Sequence, residues 1–196
     1  MGRGTSKAGG GGYNSTVNQL ADSLVKDIKP EQAAKGEIPL SNSDLQAVVE
    51  AFAMTHKGVN EDKMLNDIRD LAETKAIQKD IRANNTKAFD VEMNGDKVNY
   101  VFMSKNGNNY YAQGVGAIPK PTPNNMSASE MMSRAKSNGA KVDAIKEKDL
   151  VEMYKKRNKE RKETNEFLNR DNVRNRGGDI TNKAYRNYKK ATRLRR

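Results

Sequence analysis

Cysteine and tryptophan are absent from this 196-residue chain, and histidine occurs once. Without thiols there is no disulfide, no thiolate zinc site and no cysteine nucleophile, and a single imidazole cannot build a histidine-rich metal cluster. Large apolar side chains are also scarce. Leu, Ile, Val and Phe together supply 33 of the 196 residues, about 17%, below the roughly 20% at which highly charged chains tend toward disorder. A large continuous core is therefore excluded. No apolar run approaches the roughly 18 residues that a membrane span needs. Nor is there a signal-peptide core with a small-residue cleavage site, so a soluble, intracellular protein is expected. The length allows one domain plus appendages.

Positive charge is abundant and segregated. Lys and Arg number 36 against 25 Asp and Glu, for a net charge of +11. Residues 1–140 hold 17 basic and 16 acidic side chains, whereas residues 141–196 hold 19 and 9. Within the second part, residues 170–196 carry ten basic side chains against Asp171 and Asp179. A surface charged only for solubility mixes both signs. A basic tail on a near-neutral body points instead to a polyanionic partner.

Along the chain, residues 1–14 are glycine-rich and read as a flexible tail. The opening Met1-Gly2 with Ser6 formally matches a myristoylation pattern, but the glycine run accounts for it more simply. In the body, residues 15–140, Thr16 with Gln19 reads as a capping box for a first helix, with Val17, Leu20, Ala21, Leu24, Val25 and Ile28 on one face; Pro30 ends or interrupts it. A second helix starts at Ser41, with Asp44 at its third position and a Leu40/Leu45 staple, carries Leu45, Val48, Val49 and Phe52, and closes near Gly58. A third begins near Glu61. Its Met64, Leu65, Ile68, Leu71 and Ala72 share a face that Ile77 and Ile81 do not, so it must kink near Thr74 or touch two partners.

The period then changes to two. Phe89, Val91 and Met93 alternate with Asp90 and Glu92 before Asn94-Gly95, a type I′ hairpin signal. A two-residue loop pairs Val91 with Val98 and Phe89 with Tyr100 on one face, and Glu92 with Lys97 and Asp90 with Asn99 on the other. Asn106-Gly107 repeats the signal, predicting a three-stranded antiparallel meander. Pro119, Pro121 and Pro123 form an extended connector. Ser127, with Glu130 and a Met126/Met131 staple, starts a short helix that ends at Asn138-Gly139.

From about Lys146 a long helix carries Leu150, Val151, Met153 and Tyr154. Residues 155–166 contain no large apolar side chain and are read as an exposed charged helix, tethered by Phe167 and Leu168. Gly177-Gly178 breaks the chain before a basic amphipathic helix over 179–196, capped by Asp179. The fold class expected is thus α+β: helices flanking a three-stranded meander, a charged helix over 141–178 and a basic terminal helix.

The terminal helix is the sharpest chemical feature. Lys183, Arg186, Lys189, Lys190, Arg193 and Arg196 fall within ~140° of arc at helical spacing. Such an array neutralises phosphates and releases counterions without reading bases. Lys155, Lys156, Arg157, Lys159, Arg161 and Lys162 form an auxiliary basic surface. The expected partner is nucleic acid or a nucleoprotein, with DNA and RNA undistinguished. An acidic protein surface is a second possibility. Membrane is disfavoured because the helix's other side offers Ile180, Leu194 and two Tyr rather than Trp, Phe and Leu.

Enzymatic alternatives are weaker. His56, the one imidazole, could act as a general base, but it lies in line with the second helix's apolar stripe. Asp67, Asp70 and Glu73, with Asp62 nearby, could hold a divalent ion, but Lys63, Arg69 and Lys75 interleave as on a solvated face. Phe89, Tyr100, Phe102, Tyr110 and Tyr111 could stack bases, but in a chain this poor in apolar residues the core needs them. Gly114-x-Gly116 lacks the helix start of a phosphate cradle, and no Walker-type Gly-Lys-Ser/Thr occurs, so no cofactor is expected.

The opening Met-Gly-Arg-Gly-Thr-Ser-Lys-Ala followed by four glycines resembles the openings of some small phage and mobile-element proteins. That resemblance implies a non-enzymatic accessory protein in the host cytoplasm or virion, either an inhibitor of a host nucleic-acid-targeting enzyme or a virion protein touching packaged genome. It assigns no catalytic or binding residue. The alternatives are a structural assembly protein and a small basic nuclease-like toxin.

Overall fold

The computed structural model describes residues 12–37 and 43–175. In chain order the elements are α1 (Tyr13–Val25), α2 (Pro30–Ala34), α3 (Ser43–Thr55), α4 (Glu61–Ala83), β1 (Lys87–Met93), β2 (Asp96–Lys105), β3 (Asn108–Gln113), β4 (Lys120–Pro121), α5 (Ala128–Ser137), β5 (Lys141–Ile145) and α6 (Glu147–Asn175). Two compact units result, Met1–Lys155 and Lys156–Arg196, and α6 runs through the boundary. The class is α+β, as expected, but the sheet has five antiparallel strands in the order β4-β3-β2-β1-β5 rather than three.

The expected meander is its centre. Asn94 and Gly95 both take positive φ (54° and 84°), as do Asn106 and Gly107 (54° and 78°), the conformation of type I′ turns. The resulting register pairs Val91 with Val98, Phe89 with Tyr100, Glu92 with Lys97 and Asp90 with Asn99, as the sequence pattern required. The two additional strands flank it. β5 pairs along β1, and the two residues of β4, one of them a proline, pair with β3 at the opposite edge, where a missing N–H costs little.

Helices cover both faces of the sheet. On one, Ala88 and Val101 pack with Ile77 and Ile81 of α4 and with Leu150, Val151 and Tyr154 of α6. On the other, Val91 and Phe102 pack with Met132 of α5 and with Ala140. The first half of α4 faces the helical end instead. Met64 and Ile68 meet Val17, Leu45 and Val49, and Ala72 and Ala76 meet Ala21, Val25, Ile28 and Ala33, where small side chains let the helices approach closely. Helix α4 therefore runs unbroken past Thr74 and touches two partners.

Some local expectations are corrected. Helix α1 starts a turn earlier than Thr16, with Gly12 at its cap. The added turn is held by tertiary contacts, the Tyr13 ring lying edge-on to Phe52 and its hydroxyl donating to Asp67. Pro30 opens α2 rather than only ending α1, as suits a residue with fixed φ and no N–H. Val48 is exposed, so the α3 stripe is narrower than expected. The Ser41 cap and Leu40 staple lie outside the described residues. Ser127 caps α5 as expected, its Oγ accepting from the Glu130 N–H at 3.2 Å, and Asn138-Gly139 ends that helix, Gly139 having φ +91°.

Candidate functional site

Six of the twelve cations assigned to a polyanion surface, Lys183, Arg186, Lys189, Lys190, Arg193 and Arg196, lie outside the described residues. The other six are on α6 and fall into two groups. Lys156, Lys159 and Lys162 are exposed and, at steps of three, share one side of the helix. Among the described residues they form no ion pair with Glu160, Glu163 or Glu166. That fits the unfavourable orientation of a basic residue preceding its acidic partner by four, and leaves three ammonium groups available to an anion.

The second group is more enclosed. Lys155 binds Asp70 Oδ1 at 2.9 Å and approaches Glu152 at 4.0 Å, with its side chain 15% exposed. Arg157 and Arg161 are half-buried and Asn158 is buried. Residues 155–166 are thus not exposed all round, as their lack of large apolar groups had implied. The long methylene stems of Lys and Arg can cover surface while their heads stay polar. Residues 141–155 hold four basic and four acidic side chains, so the positive surplus lies in the second unit, where residues 156–196 hold 15 basic and 5 acidic side chains, a net +10.

The groups considered for catalysis are held by structural contacts. The His56 ring is half-buried and stacks on Phe52 at 3.8 Å between centroids, 7° from parallel. Its Nδ1 lies 2.9 Å from both the Phe52 carbonyl and Thr55 Oγ1. Asp67 accepts from Lys63 Nζ at 2.7 Å and from the Tyr13 hydroxyl, and Asp70 is taken by Lys155. Among the described residues no group of three or more His, Asp and Glu side chains is placed to hold a metal ion.

The aromatics split as well. Phe102 is buried at the centre of a ring cluster with Phe89 (5.9 Å), Tyr100 (6.4 Å) and Tyr111 (6.5 Å). Tyr100 and Tyr111 are half-buried and line an open groove of about 560 Å³ between the sheet and α5, together with Val91, Val98, Met131 and Met132. Among the described residues that line it, Asp96 is the only charged one, so these residues offer a phosphate no cation.

One buried acid was not anticipated. Asp80, near the end of α4, is 4% exposed and accepts from Asn84 Nδ2 at 3.1 Å. Burial first, and the nearby Glu31 second, push its carboxyl up to about 6, against a smaller opposing pull from Lys105. The Tyr154 phenol, itself buried, is pushed up to about 12 by burial and by the Asp80 carboxylate. The helical pattern around Ile77 and Ile81 signals their burial, but a lone acid one residue before Ile81 carries no mark in sequence of facing inward.

No protein-family model, curated protein or solved structure matches the chain.

Proposed function

We infer that the chain binds nucleic acid without base specificity, through the basic unit that begins at Lys156. The observation that carries this reading is the concentration of the net positive charge in the second unit. A near-neutral α+β body is followed by a unit of net +10, whose described helix presents Lys156, Lys159 and Lys162 to solvent with no ion pair among the described residues. In the sequence, Lys183, Arg186, Lys189, Lys190, Arg193 and Arg196, outside the described residues, recur at helical spacing. Cations in such arrays neutralise phosphates and release condensed counterions, which gives affinity without sequence readout. The contacts that occupy His56, Asp67 and Asp70 favour a binding role over a catalytic one, consistent with an accessory protein acting on nucleic acid or a nucleoprotein.

The test is affinity for labelled single-stranded and duplex DNA and RNA across a salt series, for the full chain and for a chain ending at Gly178. A steep loss of affinity with salt, shallower in the shortened chain, supports phosphate binding and apportions it between the two basic segments. Absence of binding by the full chain even at low salt overturns the reading.

A further inference from the structure

Strand β5 lies at an edge of the sheet, and an edge strand displays a row of unpaired N–H and C=O groups. Which groups those are follows from the hairpins. The two-residue turn at Asn94-Gly95 makes Met93 and Asp96 a hydrogen-bonded pair, so on β1 the backbone groups of Met93, Val91 and Phe89 face β2. Those of Glu92, Asp90 and Ala88 face β5, where their partners are Lys141, Asp143 and Ile145. The N–H and C=O groups of Val142 and Ala144 therefore point away from the sheet. Among the described residues no backbone or side-chain group bonds to them. Ala140, the next outward residue, has its N–H on Ala135 O at 3.0 Å. The edge is open at the side-chain level too, since Lys141, Asp143 and Ala144 are all exposed.

The charges on this edge are self-complementary. When an antiparallel copy of β5 is centred on Val142, each Lys141 lies opposite Asp143 of the second copy. Non-hydrogen-bonded pairs of this kind bring side chains closest. Centring on Asp143 instead sets the two aspartates against each other, and centring on Ala144 pairs Asp143 with Ile145. Only the first register matches charge. Val142 then exchanges two hydrogen bonds with its counterpart, and each Ala144 N–H reaches the Ala140 carbonyl of the second copy, which accepts no backbone bond among the described residues. A second feature points the same way. Within one chain Asp143 lies directly opposite Asp90, a like-charge cross-strand pair that weakens a sheet, and neither carboxylate has an ion-pair partner among the described residues. Lys141 of a second copy supplies the missing cation.

We propose that β5 is a self-association edge: two copies of this chain pair antiparallel through their β5 strands about a two-fold axis at Val142, making one continuous ten-stranded sheet. The closed, isologous geometry uses the same short segment twice and stops at two copies.

The test is sedimentation velocity of nuclease-treated full chain over a concentration series. The wild type shows a reversible monomer–dimer equilibrium. Asp143→Lys sets lysines against each other across the axis while removing the Asp90 repulsion inside each chain, so self-association weakens roughly tenfold or more and the thermal midpoint holds or rises. Lys141→Asp weakens self-association by the opposite clash. An equimolar mixture of the two variants forms a heterodimer, because every cross-axis pair is again opposite in sign. Should Lys141→Asp not fold, the double swap Lys141→Asp/Asp143→Lys replaces it and must dimerise like the wild type. A wild type that stays monomeric at every concentration overturns the proposal, as does dimerisation unchanged by Asp143→Lys. Failure of the folded single variants to pair on mixing, or of the folded double swap to dimerise, also overturns it.

Discussion

Asp80 sits where an ionised carboxylate is poorly solvated, and the consequence is a stability that depends on pH with an unusual sign. Its folded-state value of about 6 lies above the ordinary 3.8, so the folded chain holds this proton more tightly than the unfolded chain does. The contribution is fully present below pH 3.8 and is lost as pH rises through about 6, amounting to about 3 kcal/mol forgone at neutral pH. Glu31 of α2 adds to the repulsion, Lys105 of β2 offsets part of it, and the Tyr154 phenol of α6 is neutral throughout this range. Asp80→Asn keeps an acceptor for Asn84 and removes the charge. Urea titrations should show the variant more stable than the wild type by about 1–3 kcal/mol at pH 7, converging with it at pH 4. A gap independent of pH would mean that the carboxyl ionises normally. Ile68 makes a contrasting case, being 0% exposed in the cluster with Met64 and Val49. Ile68→Ala should cost about 2–5 kcal/mol at any pH.

At the scale of elements, the best-determined structure is that in which local chemistry and packing agree. The β1–β2 hairpin is legible to the residue because Asn94-Gly95 supplies the positive φ values and both faces of the pairing match in one register. Gly95→Ala therefore tests the turn alone. Nothing lies within 4 Å of the added methyl, so the expected loss of about 1 kcal/mol on chemical unfolding is backbone strain at φ +84°. Ser127→Ala should cost a similar ~1 kcal/mol through the α5 cap. The elements that sequence reading missed are those with little local signal. β5 is five residues whose partner strand lies about fifty positions upstream, and its Lys-Val-Asp-Ala-Ile pattern is too short to tell strand from loop. β4 is two residues hidden among prolines. The first turn of α1 exists because Tyr13 finds Phe52 and Asp67 far along the chain, which the nearer Thr16 cap signal could not reveal. Asp80 illustrates the same limit at the level of one side chain, because helical phase places it near a buried face without saying how little water reaches it.

For the whole molecule the decisive quantity is where the charge resides. The segregation of cations was legible by counting, because long-range electrostatics depends on net charge rather than on side-chain placement. What counting could not supply was which cations are available. Lys155 is committed to Asp70 and Glu152, and Arg157 and Arg161 are half-buried, while Lys156, Lys159 and Lys162 face solvent. The distinction makes a quantitative claim about α6. If those three lysines each neutralise one phosphate, replacing all three by Gln reduces the slope of log affinity against log salt concentration by about 2 to 3, and weakens binding uniformly across sequences. Chemical unfolding should change by no more than ~0.5 kcal/mol, since the three side chains are exposed and form no ion pair among the described residues. Lys155→Gln should do the reverse, leaving the salt slope nearly unchanged while destabilising the fold, because its ammonium is spent on Asp70. A salt slope that falls equally in both variants would show that exposure on α6 does not decide which cations meet phosphate, and would move the binding surface to residues 183–196 and their surroundings.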